Sequence, residues 1–228
     1  MRRTNHLSRL RERSPDRAGE GSVIRNIVFD VGGVLVRLHY QPFIRYLGEA
    51  GIDMSNLPAW LSTVDLEGHE RGEISGQELL SRIAAMAARP LDPADLTARW
   101  LQMFERWDEM FTLATGLMDE YRVYLLSNVG DLHWAHLDER YGIDSLVHGA
   151  VASFRVGAIK PSPEIYRRTE ATFGLEPAAT VFIDDLPQNV AGARGCGWQA
   201  IHHSDARATR DQLRALGVRL PASFGSER

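Results

Sequence analysis

Four short polar clusters, far apart along the chain, carry the residue types that phosphoryl transfer requires. Asp30 follows the apolar run Asn26-Ile27-Val28-Phe29 and precedes Gly32-Gly33. Ser127-Asn128 follows Val123-Tyr124-Leu125-Leu126, Lys160 stands before Pro161, and Asp184-Asp185 follows Val181-Phe182-Ile183. A carboxylate such as Asp30 can attack phosphorus and form an aspartyl phosphate. Two nearby carboxylates bind a hard cation through oxygen, and Mg2+ commonly uses one or two of them together with the substrate phosphate. The cation shields the nucleophile from its anionic substrate and stabilises the phosphoryl oxygens. Ser127 and Lys160 are suited to hold the remaining oxygens.

Composition singles out Lys160. Of 26 Lys+Arg residues it is the only lysine. Where a solvated positive charge suffices, the two types interchange. A lone lysine is therefore either a chance survivor or a position that needs a compact ammonium and not a planar guanidinium. Pro161 keeps Lys160 extended, and Ser162-Pro163 opens a helix immediately afterwards, which fixes the ammonium at a helix mouth. The doubled aspartate has a poor structural excuse, because unpaired buried charge is costly.

These groups need a scaffold that gathers them. The three apolar runs that stop at polar residues read as buried strands. Helical patterns follow over about 131–141, 163–174, 187–194 (closing at Gly195) and 205–216. Strand alternating with helix predicts an α/β fold, a doubly wound (Rossmann-like) parallel sheet covered on both faces. The ligand site of such a sheet lies outside the carboxyl ends of its strands, so Asp30, Ser127, Asp184 and Asp185 should converge. Residues 40–106 interrupt the alternation with helix alone. Ser75 and Glu78 form a capping box ahead of Leu79, Leu80, Ile83 and Met86. Asp92-Pro93 opens a second helix with Leu96, Trp100, Met103, Phe104 and Trp107 on one face. The expected organisation is a disordered basic tail over 1–22, an α/β core over 23–39 and 107–220, and a small α-helical cap over 40–106 that acts as a lid.

In this order the clusters resemble the motifs of the haloacid dehalogenase (HAD) superfamily, whose members are mostly phosphatases. The motifs are Phe29-Asp30-Val31-Gly32-Gly33-Val34-Leu35, Leu126-Ser127-Asn128, Lys160-Pro161, and Phe182-Ile183-Asp184-Asp185 with Asn189 behind it. The resemblance spans about residues 23–205. His69-Glu70-Arg71-Gly72-Glu73-Ile74-Ser75 and Lys160-Pro161-Ser162-Pro163-Glu164-Ile165-Tyr166 are similar to a subgroup that releases glucose from α-glucose 1-phosphate and has a helical cap after the first strand. The resemblance implies that Asp30 is the nucleophile and a Mg2+ ligand, that the Gly32 carbonyl is a second ligand, and that Asp185 binds the metal directly. Asp184 would act from behind it or through water. Ser127 and Lys160 would bind phosphate, with Asn128 and Asn189 at the substrate site. By residue type alone, these two asparagines read equally as a turn residue and a helix-start residue.

The chain departs from the family pattern at Gly32, where most of these phosphatases carry a second aspartate that protonates the leaving oxygen and then activates water. Loss of an acid/base usually costs about 100- to 10,000-fold, but the similar subgroup lacks this aspartate too. Either an acidic anomeric hydroxyl leaves with little help, or a lid residue such as Glu73 or His69 reaches in. Glu70, Arg71 and Glu73 otherwise read as a solvated turn.

The bulk composition narrows the alternatives. At 228 residues, 44% hydrophobic and with a net charge of −4, the chain can bury a sizeable core and shows no global affinity for nucleic acid. No stretch approaches the roughly 20 apolar residues of a membrane span and no secretory signal opens the chain, so a cytoplasmic location is expected. The single cysteine, Cys196, excludes an internal disulfide. Residues 1–22 hold six arginines against three acids, a composition typical of solvated chain. The leading expectation is a Mg2+-dependent phosphatase acting on a small phosphorylated metabolite such as a sugar phosphate. A metal-independent 2-haloacid dehalogenase is the second reading, and the aspartate pair argues against it. A non-catalytic phospho-ligand-binding relative is the third, supported by Gly32.

Overall fold

The computed structural model describes residues 23–222, so the expected basic tail lies outside the described residues. From the amino end, β1 (Asn26–Phe29) leads through a tight loop to β2 (Val36–Leu38). Five helices follow: α1 (Gln41–Glu49), α2 (Leu57–Val64), α3 (Leu66–Glu70), α4 (Gly76–Ala85) and α5 (Pro93–Leu101). The chain returns through β3 (Phe104–Arg106) to α6 (Asp108–Gly116), β4 (Arg122–Ser127) and α7 (Asp131–Tyr141). It continues with β5 (Ala150–Ala152), α8 (Ser153–Val156), α9 (Pro163–Phe173), β6 (Thr180–Asp184), α10 (Pro187–Gly195), β7 (Gln199–His202) and α11 (Ala206–Ala215).

Five strands pair in parallel in the order β5-β4-β1-β6-β7. Both faces are covered, and the strand sequences show why. Ile27, Phe29, Val123, Leu125, Val181 and Ile183 face one core with Trp134 and Leu213. The alternate residues Val28, Tyr124, Leu126 and Phe182 face the other with Tyr166 and Trp198. Side chains on a strand alternate between faces, so a continuous apolar run is what a sheet buried on both sides requires. The order reverses at β1, which makes the carboxyl ends of β1, β4 and β6 the crevice of a doubly wound sheet.

Helices α1 to α5 build a third apolar cluster of their own, with Leu47, Trp60, Leu79, Ile83, Leu96 and Trp100 at its centre. The local starts are those of the sequence reading: Ser75 Oγ accepts from the Glu78 amide at 3.2 Å, and Asp92 Oδ1 accepts from the Asp95 amide at 2.8 Å. One helix range needs correction. The helix opened by Asp92 stops at Leu101, and Phe104–Arg106 is a strand paired antiparallel with Val36–Leu38. The ribbon supplies backbone partners for both chain crossings between the helical segment and the sheet, and this outweighs the helical spacing of Phe104 and Trp107. Trp107 instead packs against His203 of the sheet domain, with ring centroids 5.1 Å apart. Strand β5, three residues long, carries too little pattern to be read from sequence.

The helical segment is tied to the sheet domain at defined points. Asp131 Oδ1 accepts from the Gly76 amide at 2.9 Å, Ser153 Oγ donates to the Glu70 carbonyl at 2.6 Å, and His133 Nε2 donates to the Trp100 carbonyl at 3.0 Å. Burial depresses His133 to about 3, so it serves as a neutral hydrogen-bonding ring. Among the described residues no helix is long and apolar enough to cross a membrane.

Gly72 sits at one close approach, with φ +75° and its α-carbon beside the Phe154 carbonyl, where a methyl group would overlap backbone oxygen. Left-handed backbone costs a non-glycine residue about 1–2 kcal/mol, and a clash with backbone has no rotamer to relieve it. Gly72→Ala should therefore lower stability by about 2 kcal/mol or more, read as a fall in the urea midpoint with unchanged slope.

Candidate active site

Phe29 pairs with Leu125 on one side and Ile183 on the other, and the Asp30 amide donates to the Ile183 carbonyl at 2.9 Å. This register sets Asp30 level with Asp184. Lys160, fixed before α9 with a cis bond to Pro161, brings its ammonium between them. Nζ lies 2.8 Å from Asp30 Oδ1, 2.7 Å from Asp184 Oδ2 and 3.1 Å from the Leu126 carbonyl. Its three donors are thus all engaged, a geometry that a planar guanidinium does not match. Lys160 is 3% exposed, Asp30 6% and Asp184 0%.

Each member of this pair of contacts is itself held. The Asn128 side chain grips the Lys160 backbone at both ends, donating to its carbonyl at 3.0 Å and accepting from its amide at 2.8 Å. Asn189 Nδ2 donates to both Asp184 oxygens, and Asp184 Oδ1 also accepts from the Leu186 amide at 2.8 Å. Asp184 is therefore saturated by protein donors. Both asparagine side chains bond protein groups, holding Lys160 and Asp184, and both residues also line the cleft above the cluster. Ser127, at the end of β4, is 3% exposed and its hydroxyl has no protein partner among the described residues.

Asp185 has a different setting. It is half-buried, and its carboxylate lies over Gly33, whose φ of +75° and missing side chain admit it; a Cβ there would overlap the carboxylate. His202, at the end of β7, bonds the Asp185 carbonyl at 2.9 Å and holds this loop. Its contribution was invisible because it acts on backbone across two strands.

Asp30, Asp184 and Asp185 offer ligand oxygens within 4.8 Å of one another. Burial pushes the Asp30 carboxyl well above its usual range; Lys160 opposes this, while Asp184 and Asp185 add to it. Asp185 is likewise raised, by burial first and then by Asp184. Burial alone would lower Lys160, but Asp30 and Asp184 outweigh it and keep the ammonium charged. Three carboxylates around one ammonium leave two negative charges in excess when all are ionised. The oxygens still free of protein donors belong to Asp30 and Asp185, a hard-oxygen set fitted to a divalent cation. At Gly32 an added Cβ would meet only Leu38 Cδ1, in ordinary van der Waals contact at 3.6 Å.

Above the cluster, two compartments meet. An open cleft of about 580 Å³ is lined by Lys160, Asn128 and the acids Asp65, Glu67, Glu70 and Glu73. A smaller chamber of about 190 Å³ is lined by Gly32, Ser127, His69, Glu70, Trp100 and His133. Glu70 borders both. Burial pushes it up to about 7, with Lys160 working in the opposite direction. Neither its helix face nor its neighbours across the cleft could be read from the local pattern His69-Glu70-Arg71.

Comparison with known proteins identifies what the chain resembles. A family model described as haloacid dehalogenase-like hydrolase matches residues 24–197. A D-ribitol-5-phosphate phosphatase of Bacteroides thetaiotaomicron is 28% identical over 205 residues, covering 85% of this chain and 98% of that protein. A sesquiterpene phosphatase of Aspergillus oryzae is 26% identical over 194 residues, covering 83% and 94%. Among solved structures, a HAD family enzyme of Bacteroides thetaiotaomicron in complex with magnesium and inorganic phosphate superposes with a TM-score of 0.72 at 25% identity, over 79% of this chain and 94% of that one.

The ion cluster predicts its own fragility. Lys160→Met removes the only cation between two buried carboxylates, and breaking a buried pair this way typically costs about 3–5 kcal/mol. Urea unfolding in metal-free buffer should show a loss of that size. A change within error would mean that the carboxylates do not depend on the ammonium.

Proposed function

The chain belongs to the haloacid dehalogenase-like hydrolases, and from that premise we propose that it is a Mg2+-dependent phosphatase that hydrolyses a small phosphate monoester through an aspartyl phosphate on Asp30. The observation that carries this reading is the buried constellation of Asp30, Asp184 and Asp185 around one ammonium at the reversal point of the sheet. Enzymatic phosphoryl transfer depends chiefly on positioning and charge, and this site has both.

Asp30 has one oxygen held by Lys160 and the Val31 amide, at 2.8 and 2.7 Å, which aims the carboxylate and leaves the other oxygen to attack phosphorus. Lys160, its three donors held by protein groups, lends short-range positive charge to the phosphoryl oxygens, which the Ser127 hydroxyl orients. Asp30, Asp185 and the Gly32 carbonyl would hold Mg2+, with Asp184 acting through water or from behind. When bound, the ion supplies the positive charge that lets an anionic ester approach an anionic nucleophile. Asn128 and Asn189 keep Lys160 and Asp184 in register throughout.

The relatives named above differ in their alcohols, one a polyol and the other a terpenoid. The cleft of this chain favours the first kind. Four carboxylates line it beside Lys160 and Arg71, the latter paired with Glu67, and they accept hydrogen bonds from hydroxyl groups, so a monophosphorylated sugar or polyol is the best match. A haloacid, itself a carboxylate, gains nothing from the acid cluster.

A panel of sugar, polyol and prenyl monophosphates, assayed with Mg2+ and with EDTA, tests the reading. Turnover should require the metal, favour the hydroxylated esters and fall to background in Asp30→Asn. Metal-independent hydrolysis that survives Asp30→Asn would rule the mechanism out.

A further inference from the structure

Expulsion of an alcohol from a phosphate ester leaves an alkoxide that needs a proton, and hydrolysis of an acyl phosphate needs a water that loses one. Of the sheet-domain carboxylates at the cluster, Asp185 is taken up as the metal ligand in the reading above, and the others are no freer to do either. Asp30 is the nucleophile, Asp184 is saturated by Asn189, Lys160 and the Leu186 amide, and Gly32 offers no side chain. The group that fills the gap must come from the helical segment. We infer that Glu70 is the general acid and base of the reaction, an assignment that rests on the phosphatase reading above.

The geometry favours Glu70 over its neighbours. It borders both the cleft that holds Lys160 and Asn128 and the chamber that holds Gly32 and Ser127, whereas Glu73 lines only the cleft and His69 only the chamber. His69 is further confined by Gly130, against which its ring packs so closely that no side chain fits there. Glu67 is paired with Arg71. The backbone that carries Glu70 is fixed to the sheet domain at that very residue, through the bond from Ser153 Oγ to the Glu70 carbonyl at 2.6 Å. Its placement relative to the strand ends is therefore set by the core and does not depend on the far end of the helical segment. A carboxyl group titrating at about 7 presents both protonation states near neutrality.

In the first half-reaction the Asp30 oxygen bonds to phosphorus as the ester P–O bond breaks. The leaving oxygen keeps that electron pair and takes the Glu70 proton. In the second, the Glu70 carboxylate removes a proton from water, whose oxygen bonds to phosphorus. The bond from phosphorus to Asp30 breaks, phosphate departs, and Asp30 and Glu70 return to their starting states.

The test is rapid-quench kinetics of the full chain with Mg2+ and p-nitrophenyl phosphate, whose phenolate leaves without an acid. Glu70→Gln should keep the first half-reaction and slow the second by about 100- to 10,000-fold. A stoichiometric burst of p-nitrophenolate and accumulation of Asp30 phosphoenzyme would follow. Gly32→Asp in the Glu70→Gln background, where the backbone has room for a side chain, should restore turnover by returning a carboxyl group from the strand side. A Glu70→Gln protein with wild-type steady-state rate and no burst overturns the assignment. So does a uniform loss in both half-reactions that Gly32→Asp leaves unrestored, which would mark Glu70 as a structural prop. If the unaltered chain forms no phosphoenzyme, it is the phosphatase reading itself that fails, and the assignment falls with it.

Discussion

The Lys160 ammonium, shared between Asp30 and Asp184 with almost no access to solvent, is the interaction around which the site is organised. Three charges taken out of water carry a heavy desolvation penalty, and a buried ion pair is seldom a net source of stability. Here the arrangement orients the Asp30 carboxylate, fixing one of its oxygens between Lys160 and the Val31 amide. One Asp30 oxygen is tied down and the other is left without a protein donor, while the third carboxylate, Asp185, leaves the cluster short of positive charge. That deficit is what a divalent ion and a phosphate-bearing substrate are suited to meet together.

Such a cluster exists only because the sheet brings it about. Residues separated by more than 150 positions become neighbours when β1 lies between β4 and β6, in a register that sets Asp30 beside Asp184. The apolar residues before each polar cluster are buried on both faces, so the strands cannot slide without exposing or burying the wrong groups. Packing energy thereby fixes the spacing of charges that would otherwise repel. The asparagine side chains refine the arrangement, Asn128 by clamping the lysine backbone and Asn189 by filling the acceptor sites of Asp184.

The helical segment supplies what the strand ends lack. It has its own apolar cluster and rests on the sheet domain through a few directed contacts at Gly72, Gly76, Glu70 and Trp100. These contacts lie close to the site, so the wall of the cleft is positioned by the same backbone that anchors it. The opening mixes charged and apolar groups, whereas the small chamber beside it is mainly apolar.

The strand patterns, the polar residues at their ends, the lone lysine and the helix caps at Ser75 and Asp92 are local features, and they were legible in the sequence because each reflects the environment of a single element. The parallel sheet and the convergence of Asp30, Ser127, Lys160 and Asp184 follow from them. Where an outcome depends on a partner far along the chain, the sequence was silent or misleading. Phe104 and Trp107 have helical spacing, yet pairing with Val36–Leu38 draws the first into a strand and turns the second onto the sheet domain. The asparagines read as turn or helix-start residues, but their hydrogen-bonding capacity is taken up by groups on other elements. Glu70 sits among charges like a surface residue, and only packing of its helix against α8 and the strand ends buries its carboxyl and turns it into a candidate proton carrier. Pattern along the chain determined which elements form and which groups they carry. The tertiary structure alone decided which of those groups lose water and face one another, because desolvation and mutual orientation are properties of the assembled surfaces and not of any one segment.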